Sequence, residues 1–432
     1  MKKIVIEILI LLLVSSFIIF FQFNRVPKKL SWDEVEFARL ALNLENKPYT
    51  PYSQLATGHS TLYFYIILGS IKLFGLNNFA LRFPSALFGV LNISLFYLIA
   101  RLVFAKIKYS PRQLVHFAFF PLLLSFILIS SRWYFNFARF SFEATFLVFL
   151  ELSSIYFFLK FILLSFWQVK RVQNRSSILL VFSALFSGLA FLSYYPGRIF
   201  FLLPFVFLIF YSQKHLLKRN LVLFFVTFLL IVLPLILYLS SHKDLRIQEQ
   251  LFLTDKKLTL ADKATYIGLN SIKLGYMFTH LGDLNGRHNY PGKALFNPVL
   301  GAFFLFGLLV TILNLKNFYN QFFFAFFILS LIPAIFTYPV ENPNSLRTFT
   351  SVVSSVFFVG NGLTYLLQSE QKSKNLILGV FIFLLGLFFL SSLYDLRTYF
   401  LYQKAVFSKA FELNGSIQRI LNLKLWEKTG EL

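Results

Sequence analysis

The chain has 432 residues, of which 57% are hydrophobic, 20% aromatic and only 14% charged, with 60 Phe. No soluble domain buries that much apolar surface, so the sequence is that of an all-α polytopic membrane protein. The absence of Cys excludes disulfides and thiolate metal sites, and the formal charge of +23 is scattered over short loops with no basic run interleaved with stacking aromatics, which argues against nucleic acid as a partner.

Lys2-Lys3 precedes an apolar run to about Phe23, with no small-residue cleavage site after it. It reads as an uncleaved anchor with a cytoplasmic N-terminus. Directly after it comes Ser31-Trp32-Asp33-Glu34. Ser31 is placed to cap a helix and Glu34, three residues on, to complete a capping box. Asp33 then falls in the first turn, where the helix dipole favours a carboxylate. An acidic pair at a membrane edge is costly, which marks it as a candidate site.

Further runs of span length lie near 83–104, 115–131, 142–164, 177–195, 197–211, 221–240, 294–315, 320–338, 348–367 and 376–394, which with 4–23 predicts eleven transmembrane helices. The segment 61–75 is apolar but short, and either spans with strain or lies on the membrane surface. Charge decides between the two. With 61–75 at the interface, Lys106, Lys108 and Arg112, then Lys170, Arg171 and Arg175, then Lys214, Lys218 and Arg219, then Lys316, and finally Lys372 and Lys374 all fall on the cytoplasmic side. With 61–75 spanning, those basic loops face outward, against the positive-inside rule. The predicted organisation is one membrane domain over 1–394, with outer loops 24–82 and 241–293, and a short amphipathic tail over 395–432. In the tail, Val406, Phe407, Ala410 and Phe411 recur at helical spacing and Asn414-Gly415 is expected to end the helix.

This topology collects unusual polar residues on the outer face: Asp33, Glu34, Glu36 and His59; Arg139 and Glu143; Tyr194, Tyr195 and Arg198; Asp283, Arg287 and His288; and Asn344 with Arg347. Each has a plainer reading. Asp33 and Glu34 serve equally as first-turn helix acids, and Arg139 and Glu143, four apart, as an ion pair. Arg198 and His59 read as interfacial residues, Asp283 and His288 as turn residues, and Arg347 as a lipid-phosphate contact. The concentration on one face favours a site. No nucleotide loop, serine-hydrolase elbow or zinc pair is present, so no cofactor is expected and no cluster suggests a dedicated metal site, which leaves dependence on a divalent metal open. Arginines and acids near lipid suit a substrate that carries a phosphate and a sugar hydroxyl.

The order of Trp32-Asp33-Glu34-x-x-Phe37-Ala38, Gly58-His59-Ser60-Thr61-Leu62-Tyr63, Leu73-Phe74-Gly75 and Arg82-Phe83-Pro84-Ser85 resembles bacterial GT-C glycosyltransferases related to protein O-mannosyltransferases and to the aminoarabinose transferase of lipid A. Arg139-x-x-x-Glu143, Tyr195-Pro196-Gly197-Arg198, Gly282-Asp283 and Asn344-Ser345-Leu346-Arg347 fall where such proteins carry similar motifs, so the resemblance covers roughly 1–400. It implies an inverting plasma-membrane enzyme that moves a hexose or pentose from a polyprenyl-phosphate carrier to a lipid, glycan or protein acceptor outside the cytoplasm. Asp33 matches the family's catalytic aspartate, Glu143 a second acid near the acceptor, and 61–75 a helix on the membrane surface. Arg198, Arg347, Arg139 and His59 are the candidates for the donor phosphate, with Asp283 and His288 in an outer-loop site. Relatives often carry Pro-Pro-Leu where this chain has Ser60-Thr61-Leu62, which sets His59 apart from their pattern. The competing readings are a transporter or flippase of lipid-linked sugars, which requires polar residues along the spans and paired halves, and a non-catalytic scaffold.

Overall fold

The structure, a computed structural model, describes residues 2–104, 119–165, 170–367 and 374–422. Lys106, Lys108, Arg112 and Lys372, the start of the span predicted at 115, and 423–432 of the predicted tail lie outside the described residues. The described chain is almost wholly helical. In chain order the helices are α1 (Lys2–Phe20), α2 (Trp32–Asn43), α3 (Leu62–Phe74), α4 (Asn78–Phe104), α5 (Phe120–Ser130), α6 (Arg132–Phe137), α7 (Ala144–Ser165), α8 (Lys170–Phe191), α9 (Leu202–Tyr211), α10 (Leu217–Ser241), α11 (Leu245–Gln250), α12 (Leu260–Met277), α13 (Pro298–Leu313), α14 (Phe318–Ile335), α15 (Ser351–Leu367), α16 (Lys374–Arg397) and α17 (Lys404–Ala410).

Each predicted span contains one of these helices. Among the described residues six helical stretches are long and apolar enough to cross a membrane: Lys3–Phe20, Asn78–Phe104, Ala144–Ser165, Lys214–Ser241, Phe318–Ile335 and Leu378–Ala410. The other apolar helices have 10–17 residues. The segment expected at the interface is α3, whose 13 residues rise only about 20 Å at 1.5 Å per residue, short of a hydrocarbon core of about 30 Å. Close packing between spans uses small residues. A Cβ on Gly307 of α13 would collide with the Phe358 carbonyl of α15, and one on Gly362 of α15 would stand 3.2 Å from Gly307.

Where the chain turns at a span end, buried charges satisfy the exposed backbone groups. The last carbonyls of a helix lack intrahelical partners. At the end of α1, Arg139 supplies them, donating to the carbonyls of Ile18 (3.1 Å), Ile19, Phe21 (2.7 Å) and Val26 (3.0 Å), and to the Tyr399 hydroxyl (3.2 Å).

The predicted capping box is present at α2. Ser31 accepts from the Glu34 amide and Glu34 from the Ser31 amide. The Glu34 carboxylate goes further. It pairs with Arg82 of α4 through Nε (2.7 Å) and Nη2 (2.9 Å), and accepts the Ser141 amide (3.0 Å) ahead of α7. Arg82 also holds the carbonyls of Pro27 and Lys29, both at 2.7 Å.

The predicted tail is not an appendage. α16 runs through a π-helical stretch (Thr398–Gln403) into α17, and the chain then packs back on the first outer loop. Leu413 pairs with Leu30 as a β-bridge, Phe411 lies under the Arg82 guanidinium at 5.9 Å, and Lys29 donates to the Ser408 carbonyl at 2.8 Å. The helix was expected to end at Asn414-Gly415. It ends at Ala410 because Phe411 adopts an extended conformation there (φ −109°, ψ 105°) and is fully buried.

Removing one partner of a buried ion pair strands the other charge, at about 3–5 kcal/mol. Glu34→Ala is therefore expected to lower the unfolding temperature of the detergent-purified protein strongly. Glu45→Ala, which breaks the exposed pair with Lys72, is expected to cost about 0–1 kcal/mol.

Candidate active site

The segment between α1 and α4, the stretches after α10 and α12, and the segment before α15 meet around a cleft of about 410 Å³. Asp33, Glu36 and Glu341 are its acids, and Arg246, Arg287, Arg347, His59 and His288 its basic groups. Successive helix residues are turned by about 100°. With Glu34 facing inward to Arg82, Asp33 faces the cleft, about half exposed, where Arg287 Nη1 donates to its Oδ2 at 2.5 Å.

His59 sits on a short hairpin in which Tyr52–Ser53 pairs antiparallel with His59–Ser60. The edges of Phe37 and Phe64 hold its ring, each at 5.2 Å between centroids. Its Nδ1 lies 3.0 Å from Glu143 Oε1, and Arg246 Nη1 lies 2.9 Å from its Nδ1 and 2.5 Å from its Nε2. With Nδ1 donating to Glu143, Nε2 is the ring nitrogen free to accept from Arg246. Glu143 is fully buried, so it reaches the cleft only through His59, and its Oε2 has no protein partner.

Arg246 stands on α11, whose N-cap is Asp244. Asp244 also accepts from the Tyr52 hydroxyl (3.0 Å) and pairs with Arg198. The neighbouring carboxylate and burial together push the Tyr52 hydroxyl up to about 12, burial being the larger cause. The rings of Tyr194 and Tyr195 lie 5.5 and 5.6 Å from the Arg246 guanidinium, a geometry that favours a cation. A Cβ on Gly197 would sit 2.5 Å from the Ala190 carbonyl and from Leu147, so glycine permits the tight turn that carries these tyrosines.

The turn over 283–289 is built on Asp283. Its Oδ1 accepts the Asn285 amide (2.8 Å); its Oδ2 accepts from His288 Nδ1 (3.0 Å), the Ser345 amide (2.8 Å) and the Ser345 hydroxyl (2.9 Å). Burial pushes Asp283 up, but His288 and these hydrogen bonds outweigh it and hold the carboxyl below its ordinary value. The Asp283–Ser345 contacts also place Arg347, which pairs with Glu341. Burial would lower Arg347, yet Tyr195, Tyr194 and Glu341 keep it above its ordinary value.

Of the residues singled out in the sequence, Asp33, Glu36, His59, Tyr194, Arg287, His288, Asn344 and Arg347 line the cleft. Glu34, Glu143 and Asp283 lie behind its lining and hold it. Arg139 and Arg198, expected at a donor phosphate, do not line it. Arg139 is fully buried at the end of α1, and it does not pair with Glu143 either: residues 138–143 fall between α6 and α7, so the helical i, i+4 spacing does not apply. Arg198 is a clamp on the cap of α11. The arginines that do line the cleft include Arg246 and Arg287. Arg287 lay in the Asp283–His288 stretch that stood out, whereas nothing local marks Arg246 except Asp244 two residues earlier, a good N-cap residue. Among the described residues no three His, Asp or Glu side chains come together as a metal set.

Residues 58–238 match the model of the dolichyl-phosphate-mannose-protein mannosyltransferase family. Among solved structures, the chain is similar to the oligosaccharyltransferase of Archaeoglobus fulgidus in its apo form, with a TM-score of 0.58 at 15% identity, over 99% of this chain and 58% of that one. It is likewise similar to the archaeal oligosaccharyltransferase AglB from the same organism, in complex with an inhibitory peptide and a dolichol-phosphate, with a TM-score of 0.56 at 14% identity, over 97% of this chain and 57% of that one. ArnT from Cupriavidus metallidurans bound to undecaprenyl phosphate gives a TM-score of 0.49 at 14% identity, over 94% of this chain and 76% of that one. The chain thus spans a little over half the length of the oligosaccharyltransferase. No curated protein sequence matches it. The chain has the fold of these oligosaccharyltransferases, the GT-C fold.

A carboxyl held below its unfolded value of about 3.9 stabilises the fold fully above that pH, and the stabilisation is lost as pH falls through the folded value. Amide exchange in 285–293 is therefore expected to stay protected well above pH 4 and to accelerate on acidification below it. Asp283→Asn is expected to accelerate exchange there even at neutral pH, because the carboxylate that holds His288 and Ser345 is gone.

Proposed function

We propose that this protein is a membrane glycosyltransferase that moves a hexose or pentose from a polyprenyl-phosphate-linked donor to an acceptor hydroxyl outside the cytoplasm, at the plasma membrane, inverting the anomeric centre. The observation that carries the reading is the half-exposed carboxylate of Asp33, bonded to Arg287 in a cleft whose lining also holds Glu36, Glu341, Arg246, Arg347 and two histidines. A base beside a cluster of phosphate-binding groups is what such a transfer requires. The GT-C fold supports the same reading.

The acceptor oxygen attacks the anomeric carbon from the face opposite the phosphate. A new oxygen–carbon bond forms while the carbon–oxygen bond to phosphate breaks, its electron pair leaving on the phosphate oxygen. Asp33 takes the acceptor proton. Polyprenyl phosphate is a stable anion, so no general acid is needed. Charge stabilisation falls to the arginines, and in a cleft shielded from bulk water that electrostatic contribution is large. Arg287, bonded to Asp33, is placed to exchange the carboxylate for donor phosphate and so release the base. Glu143 acts through His59 and Arg246 as a positioning residue for the phosphate side.

A flippase has less support. The acids and arginines around the cleft lie at span ends and loops, while within the described spans Glu7 and Glu151 are buried one to a helix, in α1 and α7, away from the cleft lining. Purified protein incubated with a panel of labelled polyprenyl-phosphate sugars separates the readings. Consumption of one donor, with free polyprenyl phosphate released, is expected; movement across vesicles without bond cleavage would sink the enzyme. Asp33→Asn is expected to cut transfer by at least about a hundredfold, within the range of general-base contributions, while the protein elutes and unfolds like the parent. Near-normal turnover in that variant would remove Asp33 from the mechanism. Arg347→Gln is expected to lower kcat by about 10²-fold, the scale of losing one charge-stabilising group, measured as the rate of polyprenyl phosphate release.

A further inference from the structure

Behind a wall made by Asn285, Glu341 and Asn344 lies a second hollow of about 250 Å³, whose other lining includes Leu284, Val340 and Asn342. The three wall residues also line the cleft, so the two spaces are neighbours. Their chemistry differs. No Arg, Lys or His is among the described residues of the annex, so it has nothing for a phosphate.

What the annex offers is amides with unmet capacity. Asn285 Oδ1 accepts the Arg287 amide (3.0 Å), and Asn344 Oδ1 accepts the amides of Leu346 (3.1 Å) and Arg347 (3.0 Å). Their side-chain nitrogens have no partner among the described residues. Asn342 is only 6% exposed. Its Nδ2 donates to the Ala334 carbonyl (2.8 Å) and the Thr337 hydroxyl (3.2 Å), which fixes its orientation, and its Oδ1 is left buried with no protein partner. A buried acceptor without a partner is costly, about 1–3 kcal/mol. Three amide side chains in one lining, together with the carboxylates of Glu341 and Asp283, complement neighbouring hydroxyls, each of which donates and accepts. Leu284 and Val340, exposed at the rim, offer apolar contact to the C–H face of a ring.

We infer that this annex is the acceptor subsite, and that the acceptor presents a neutral sugar ring with adjacent hydroxyls rather than a peptide. The inference rests on the glycosyltransferase reading above. Asn285 shares its turn with Arg287, the partner of Asp33, so a ring held by the amides stands beside the base. The chemistry of adjacent hydroxyls is shared by the donor's own sugar, and the experiment separates the two sources.

The full chain in lipid nanodiscs is given a polyprenyl-phosphate hexose, and two rates are measured: hydrolysis to water, and transfer to a panel of methyl hexopyranosides at millimolar concentration. Saturation-transfer NMR reads glycoside binding without donor. At least one glycoside is expected to bind and to accept sugar. Asn285→Ser and Asn344→Ser keep an oxygen for the turn amides and remove the free nitrogens; Val340→Trp fills the annex from its rim. Each is expected to lower the ratio of transfer to hydrolysis about tenfold and to weaken the NMR signal. The inference is overturned if the parent hydrolyses donor but no glycoside binds while a serine- and threonine-containing peptide accepts. It is equally overturned if the three variants change donor hydrolysis and leave glycoside binding as it was, which assigns the annex to the donor sugar. A parent protein that consumes no donor defeats the underlying enzyme reading instead, and the NMR signal still tests the annex.

Discussion

The arrangement of the cleft depends on one buried ion pair. Glu34 and Arg82 are both almost fully buried, and taking two charges out of water is favourable only when their lone pairs and protons find partners. Each Glu34 oxygen accepts two hydrogen bonds, from Arg82 and Ser141 on one side and from Arg82 and Ser31 on the other. Arg82 gives two further N–H groups to backbone carbonyls and lies over Phe411. One carboxylate thereby ties together the start of α2, the start of α4, the approach to α7 and the returning C-terminal segment. Asp33 is one residue away, and a rigid Glu34 leaves it little freedom except to face the cleft.

The cleft itself is built on a different electrostatic plan. In the unliganded protein Asp33 pairs with Arg287 and Glu341 with Arg347, while Asp244, just behind the lining, pairs with Arg198. Arg246 lies against two tyrosine rings and His59. Pairs with one partly exposed member, such as Asp33 and Glu341, are weakly held compared with the buried Glu34–Arg82 pair. They keep the arginines from standing alone near a membrane, and their partly exposed members leave the arginines open to exchange with another anion.

Much of this was legible in the sequence, for definite reasons. Hydropathy carries the spans because the bilayer demands length, and Ser31 with Glu34 carries the capping box because its contacts are three residues apart. Where the sequence misleads, the deciding contact is distant. Arg139 and Glu143 have the spacing of a helical pair, but the chain breaks between them, and the partners of Arg139 are carbonyls some 120 residues earlier. Arg198 looks like a phosphate ligand until Asp244, 46 residues on, takes its charge and leaves Arg246 to the cleft. Arg82 stood within a recognisable motif, yet its partner Glu34 is 48 residues away. Local sequence marks which residues are unusual. It does not say which of them point at each other.

The distribution of unmet hydrogen-bond capacity separates scaffold from site. The carboxylates of Glu34 and Asp283 and the end of α1 capped by Arg139 are satisfied throughout, because their role is to hold backbone in place. By contrast Glu143 Oε2, Tyr195 Oη, Arg246 Nε, Gln250 Oε1, Arg347 Nη1 and Asn342 Oδ1 are buried without a protein partner, and all belong to the cleft, the layer behind it or the annex. Each such group lowers stability by about 1–3 kcal/mol. Other unpartnered atoms occur among the described residues, in the spans and also at Asn136, Ser141, Ser193 and Arg198. A fold that satisfies four bonds on one carboxylate at Glu34 has the means to satisfy these groups as well. That several different donors and acceptors stay unpaired around the space Asp33 faces is a physical argument that this space takes a polar ligand.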